Sequence, residues 1–279
     1  MTTTPTTTPR STNQRMPVVY LPHGGGPWPF VDLGLPPGEK DGLLAYLRSL
    51  PDLPPTRPRA LLVVSAHWEA TAPTVMTAER PPMLYDYRGF PPETYALTWP
   101  APGDPQLAAR VCELLGSAGF ATAADPARGF DHGTFVPLMV AYPDADIPAV
   151  QLSLQAGLDP DRHIALGRAL APLRDEGVFL IGSGMSFHNM RGFGDPAAAA
   201  PSAEFHAWLD ETAALEPRAR DQRLAGWSSA PAARQVHPRE EHLLPLMVVA
   251  GAAGGDRGSA AYTGTYMGKR IAAYHFVAA

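Results

Sequence analysis

The chain predicts an α/β fold: a single three-layer αβα domain with helices on both faces of a central, mostly parallel or mixed sheet. Three observations carry that prediction. Short apolar runs of strand length, at 17–21, 60–65, 147–154 and 178–181, alternate with helical patterns. At 279 residues the chain suits one large α/β domain or two small ones, and the alternation, with no internal repeat, favours one. Three of the runs break off into turns that deliver a histidine: Leu21-Pro22-His23-Gly24-Gly25-Gly26, Val64-Ser65-Ala66-His67-Trp68, and Gly182-Ser183-Gly184-Met185-Ser186-Phe187-His188. In open α/β sheets ligands bind beyond the carboxyl ends of the strands. His23, His67 and His188 can therefore meet at one point although they lie far apart in sequence.

Composition narrows the classes. With 45% hydrophobic residues the chain can bury a full core. The formal net charge is −5, the sequence pI is about 6.0, and no Lys/Arg cluster marks a nucleic-acid footprint. The single cysteine, Cys112, excludes an internal disulfide framework and a thiolate zinc cluster, and its apolar surroundings make it a packed helical residue. The first residues lack the basic and apolar regions of a signal peptide, and no apolar run approaches the roughly 18 residues of a membrane span. The expectation is a soluble cytoplasmic protein that engages neither nucleic acid nor membrane.

In order, residues 1–15 form a Thr/Pro-rich low-complexity tail, expected to be disordered, and 16–279 one catalytic domain. Pro17 to Leu21 is the first strand. The glycines after His23 either let the chain approach a ligand closely or form a plain turn with an incidental histidine. Leu43 to Leu50 ends a short helix, and Ala60 to Ser65 is the second strand, with His67 and Trp68 at its exit. Residues 80–105 are irregular and rich in aromatics (Tyr85, Tyr87, Phe90, Tyr95, Trp99), a loop that either walls a pocket for a flat substrate or packs ordinarily. Asp104 to Gly116 reads as a helix capped by Asp104, with Pro105 at its first position. In Phe130-Asp131-His132-Gly133, Asp131 either orients the His132 imidazole or caps the following turn. Ile147 to Leu154 is a strand, Asp159 to Arg174 a helix with His163 on its surface, and Val178 to Ile181 a buried strand. Pro201 to Leu215 is an amphipathic helix in which His206 is structural, and Arg218 to Arg234 is a charged connection. Pro238 and two glutamates mark a helix start, with His237 outside it, His242 inside it, and only one of Glu241 and His242 facing a site. Ala260 to Phe276 supplies one more strand.

Neutral imidazole is the commonest protein metal ligand near neutral pH. A mononuclear site of His23, His67 and a third group from the C-terminal half would suit Fe(II) or Zn(II); the alternative is a set of hydrogen-bonded core histidines. Gly182-Ser183-Gly184 lacks the spacing of a nucleophile elbow. A P-loop and a dinucleotide fingerprint are absent from the sequence.

Five segments, taken in order, resemble one family: Leu21 to Pro27, Val64 to Trp68, Phe130 to Gly133, Gly182 to Asn189 and His237 to Leu246. They resemble the DODA-type extradiol ring-cleavage dioxygenases, the 4,5-DOPA dioxygenase branch of the class III, LigB-like superfamily. That resemblance implies a three-layer αβα fold with a non-haem metal, usually Fe(II) with Zn(II) also found, at the strand ends. It implies cleavage of a small aromatic diol, DOPA-like or another substituted catechol, with O2 as co-substrate and a ring-opened semialdehyde as product. It makes His23, His67 and His242 metal ligands, His188 a further ligand or the acid/base, and His132 a catalytic residue contacting substrate or oxygen. Whether His242 or Glu241 is the last ligand stays open. His237 and Trp68 are candidates to line the substrate pocket, and the protein is expected to be a monomer or small homo-oligomer. Two rivals use the same histidines: a zinc-dependent hydrolase whose nucleophile is a metal-bound water, and a non-catalytic metal-binding member of the superfamily.

Overall fold

The computed structural model describes residues 15–278, so the low-complexity tail lies almost wholly outside the described residues. One eight-stranded mixed sheet organises the chain. In order the elements are β1 (Val18–Pro22), α1 (Pro37–Ser49), β2 (Ala60–Ala70), β3 (Thr74–Met76), α2 (Pro105–Ser117) and β4 (Ala123–Asp125). They continue with α3 (His132–Ala141), β5 (Ala149–Gln155), α4 (Pro160–Leu170), β6 (Val178–Gly184) and α5 (Ala199–Ala213). The last are α6 (Pro217–Ala225), α7 (Ala233–Val236), α8 (Leu244–Ala253), β7 (Gly258–Tyr266) and β8 (Lys269–Phe276). The strands lie in the order β4-β3-β5-β2-β6-β1-β8-β7.

The four central strands, β5, β2, β6 and β1, are parallel, and β8 and β7 add to the β1 edge antiparallel. β1 and β6 are buried along their whole length, which is why their sequences read as unbroken apolar runs. Register decides where they end. Leu21 of β1 and Ser65 of β2 both pair with Ser183 of β6, so the three strands are in register where the histidine-bearing segments leave that pairing on one edge.

The Gly182-Ser183-Gly184 segment shows how the helical layers sit. Side chains alternate across a strand. Ser183 therefore faces one layer, where its hydroxyl donates to the Gly133 carbonyl at the start of α3. Gly182 and Gly184 face the other layer, where a Cβ would collide with the Pro245 and His242 carbonyl oxygens respectively. These glycines are the room that brings the start of α8, and His242 with it, onto the sheet. α2 and α4 begin where their sequences predict, and α3, a helix the sequence reading did not assign, begins in the same way: Asp104, Asp159 and Asp131 accept from the N–H groups of Leu107, Arg162 and Thr134.

Several expectations need correction. β2 does not stop at Ser65 but runs to Ala70 through a register shift between Val64 and Glu69, so His67 and Trp68 lie inside the strand. Bulges of this kind re-aim side chains beside functional sites. The C-terminal tail is a hairpin of two strands, turned at Met267 and Gly268, both with positive φ; glycine adopts that backbone freely at 268, and the tight turn imposes it on Met267. The charged connection at 218–234 contains α6 and α7. The stretch 238–243 forms turns, and α8 begins only at Leu244, since Pro238 fixes one φ angle without starting a continuous hydrogen-bonded ladder. His163 is 1% exposed rather than on the surface, its Nε2 accepting from the Gln155 N–H at 3.1 Å.

Candidate metal centre and active-site cavity

At the carboxyl ends of β1 and β6 and the bulge of β2 five imidazoles converge: His23, His67, His132, His188 and His242 line one cavity of about 320 Å³. His23 follows β1 directly; its N–H donates to the Gly184 carbonyl at 3.0 Å, tying the turn to β6. His67 is turned inward by the β2 bulge, and Gly133, packed against its ring, leaves room for it. His132 opens α3, His188 follows the turn after β6, and His242 sits in the turn before α8. The His242 carbonyl is pinned by the Tyr20 hydroxyl at 2.7 Å and the Met185 N–H at 3.2 Å.

Every one of these rings has its Nδ1 beside an acceptor. The His23 Nδ1 lies 2.7 Å from the Gly24 carbonyl, and the His132 Nδ1 lies 2.7 Å from Asp86 Oδ1. The His67 Nδ1 is 3.5 Å from Asp86 Oδ2. Glu241 Oε1 takes both remaining rings, His188 at 3.0 Å and His242 at 2.9 Å. In His23, His132, His188 and His242 the acceptor is at hydrogen-bonding distance, which puts the proton on Nδ1 and leaves Nε2 as a lone-pair donor. The Nε2 atoms of His67 and His242 face each other at 3.3 Å. Two nitrogens each bound 2.0–2.1 Å from one tetrahedral ion are about 3.3–3.4 Å apart. His23 Nε2 is buried without a hydrogen-bond partner, an atom that a cation would satisfy. Ligand atoms of His23, His67 and His132 lie within 4.8 Å of one another, as do those of His188, Glu241 and His242. The ring centroid of His242 lies 4.8 Å from that of His67 and 5.3 Å from that of His23, so the two groups adjoin as one centre. The residues fit a divalent ion.

The electrostatics agree. Burial holds His23 and His67 well below the ordinary imidazole pKa, and the neighbouring imidazoles push the same way. His242 is lowered to about 3, chiefly by burial and against the pull of Glu241. These rings are neutral at pH 7, the state a metal requires. Burial opposes ionisation of Glu241, but its hydrogen bonds to His188 and His242 outweigh that and hold the carboxyl below its usual range. Asp86 behaves alike: burial raises it, contacts with His132 lower it further, and the net shift is downward.

The sequence reading meets this geometry unevenly. His23, His67, His132, His188 and His242 are brought together. Glu241 and His242 both face the centre, contrary to the expectation that only one would, because the turn at 238–243 is not helical and adjacent side chains need not diverge by 100°. Asp131 does not orient His132. It caps α3 and is buried under Ser65, Arg128 and Gln151, while Asp86 holds the imidazole. Trp68 and His237 do not line the cavity. Alternation along β2 carries Trp68 away from His67, and its ring lies under the Arg128 guanidinium at 4.6 Å. His237 closes α7 and is fully buried, its Nε2 3.0 Å from the Ser186 carbonyl and its ring against Phe205 and Trp227. Asp86 was missed, although an acid between Tyr85 and Tyr87 in a Pro/Gly-rich loop was a signal. Of that loop, Phe90 reaches the cavity wall with Leu33, Met185 and Phe193, and the tyrosines pack behind it on one another and on Phe135. No helix among the described residues is long and apolar enough to cross a membrane.

The profile of the family described as the catalytic LigB subunit of aromatic ring-opening dioxygenase matches residues 22–275. The chain is 40% identical to the dioxygenase tasH of Hapsidospora irregularis, over 93% of this chain and 85% of that protein. It is 44% identical to 4,5-DOPA dioxygenase extradiol of Beta vulgaris, over 71% and 74% respectively. With the protein of the same name from Escherichia coli K12 it shares 38% identity over 85% of each. The crystal structure of an uncharacterized Escherichia coli K12 protein superposes with a TM-score of 0.76 at 31% identity, covering 94% of this chain and all of the other.

Proposed function

This chain belongs to the LigB family of aromatic ring-opening dioxygenases and catalyses extradiol ring cleavage, and from that premise we propose which residues carry the reaction. His23, His67 and His242 hold the metal; His188 is the base; His132 serves the oxygen side of the substrate. The observation that carries this reading is the shared orientation of the His23, His132, His188 and His242 rings, each with Nδ1 at an acceptor and Nε2 left free, with 3.3 Å between the Nε2 atoms of His67 and His242. We take Fe(II) as the working metal, with Zn(II) able to occupy the same donors, and a catechol with a DOPA-like or other substituent as substrate. We place the protein in the cytoplasm as a monomer or small homo-oligomer.

Fe(II), when bound, supplies the electron path between an aromatic diol and dioxygen that no side chain provides. The chain does the rest. Leu33, Phe90, Met185 and Phe193 clasp the ring and keep water from it. Nε2 of His188 accepts a proton from one diol hydroxyl, and the cation that forms is stabilised by Glu241 at its Nδ1. His132, with Asp86 fixing both its backbone N–H and its Nδ1, presents the Nε2 lone pair to the other side of the cavity as a hydrogen-bond or proton acceptor. Positioned proton transfer of this kind contributes about 10²–10⁴-fold.

The test is anaerobic reconstitution with Fe(II), followed by air and a panel of DOPA, protocatechuate and plain catechol. Oxygen uptake matched by a yellow semialdehyde is expected. Ester or amide hydrolysis without oxygen would move the assignment to the hydrolase, and bound metal without turnover of any diol would move it to a binding protein. Among variants, His23→Ala, His67→Ala and His242→Ala are expected to lose the metal, whereas His132→Ala and His188→Ala keep one equivalent and lose at least about 10²-fold in turnover. Metal loss in His132→Ala would make His132 the third ligand instead.

A further inference from the structure

Among the side chains lining the cavity, the imidazoles are joined by Leu33, Phe90, Met185, Met190, Phe193, Met267 and one more polar residue, Tyr266, whose hydroxyl lies 3.0 Å from the N–H of Gly25, itself a lining residue. Apart from the histidines it is the one hydroxyl, amide, carboxylate or ammonium on that wall. Tyr266 closes β7, is 3% exposed, and is set by edge contacts with Trp28 and Phe193. Its oxygen accepts the Gly25 N–H at 3.0 Å, which fixes the oxygen and leaves the O–H proton without an acceptor among the described residues. Its ring contacts are with Trp28 and Phe193, not with the five imidazoles, so it stands on the Phe193–Met267 wall away from the metal donors.

We propose that Tyr266 is a specificity-determining residue: its hydroxyl donates a hydrogen bond to an acceptor oxygen on the ring substituent of the diol, while the imidazoles take the diol itself. The inference rests on the ring-cleavage reading above. Burial raises the phenol to about 12, so it remains a donor across the working pH range. A site built to hydrogen-bond a substituent discriminates strongly against an analogue that lacks it, because its own polar group is then left unpaired.

The test compares protocatechuate, whose substituent carries acceptor oxygens, with 4-methylcatechol, whose substituent carries none. Wild-type and Tyr266→Phe enzymes are loaded with Fe(II) for turnover and with Zn(II) for anaerobic calorimetry of binding. The expected result is a loss of about tenfold or more in kcat/KM and in affinity for protocatechuate, with 4-methylcatechol changed less than twofold. Equal losses on both diols, or no loss on either, would overturn the proposal. Because the variant also deprives the Gly25 N–H of its acceptor, metal stoichiometry and Tm are measured in parallel. If Tyr266→Phe fails to fold, wild-type binding of the two diols decides: equal affinity overturns the proposal. Wild-type enzyme that opens neither ring, nor any other diol, would mark failure of the ring-cleavage reading instead.

Discussion

Glu241 sits between two imidazoles and accepts from both, at 3.0 Å from His188 and 2.9 Å from His242. One carboxylate thus sets the tautomer of a proposed ligand and of the proposed base. Partners that fix ligating histidines are typically worth 10–100-fold in metal affinity. Glu241→Gln keeps the size but loses the charge, and its amide nitrogen, if turned to either ring, forces Nδ1 to accept. The expected outcome is metal affinity weakened about 10–100-fold and a fall in kcat, read by metal titration and oxygen uptake. Unchanged affinity would show that His242 needs no such partner. At this scale most of the histidines were legible in the sequence: His23, His132 and His242 have a glycine or an acid beside them, His188 follows the Gly182-Ser183-Gly184 break, and His67 closes an apolar run that the structure continues as strand. Asp86 was not, since nothing in its own neighbourhood says which ring it will meet.

At the scale of elements, the site depends on how close α8 comes to β6. Gly184 is the point of contact, where a Cβ would collide with the His242 carbonyl oxygen that Tyr20 and Met185 already hold. Gly184→Ala is expected to cost about 1–3 kcal/mol of stability through this overpacking and to weaken metal binding more than Gly177→Ala, where the added carbon meets only the Arg59 side chain. Gly177 has positive φ, so that control carries its own local strain but leaves the centre untouched. Denaturation midpoints and metal titration on the two variants separate the effects. The Gly-Ser-Gly pattern reads in sequence as a break in a strand. Its meaning, a serine toward α3 and two glycines toward α8, needs both helices in place.

Over the whole molecule, buried neutral histidines set the response to acid. His206 and His275 lie away from the metal centre and are each lowered to about 4, chiefly by burial. The folded state therefore binds fewer protons than the unfolded state between the unfolded value of about 6.5 and pH 4. Stability is full above about pH 6.5 and falls as pH drops through that window, by up to about 1.4 kcal/mol per pH unit for each such group. Metal-free protein is expected to show lower denaturant midpoints at pH 5 than at pH 7.5. In His206→Leu the slope should flatten and the protein gain about 1 kcal/mol at neutral pH, because both His206 nitrogens are buried without partners. A slope unchanged by the substitution would place the acid sensitivity in other groups.

By itself the sequence determined the α/β class, the parallel core strands and the set of histidines, because apolar runs, caps and glycine breaks are local properties of the chain. The tertiary structure alone decided the register that aligns Leu21 and Ser65 on Ser183, the bulge that turns His67 inward, and the turn that lets Glu241 and His242 face one centre. It also placed Asp86 on His132 and Tyr266 on the cavity wall, while withdrawing Trp68 and His237 into the packing. These are contacts between segments tens to hundreds of residues apart, and their geometry is settled only when the sheet and both helical layers close around them.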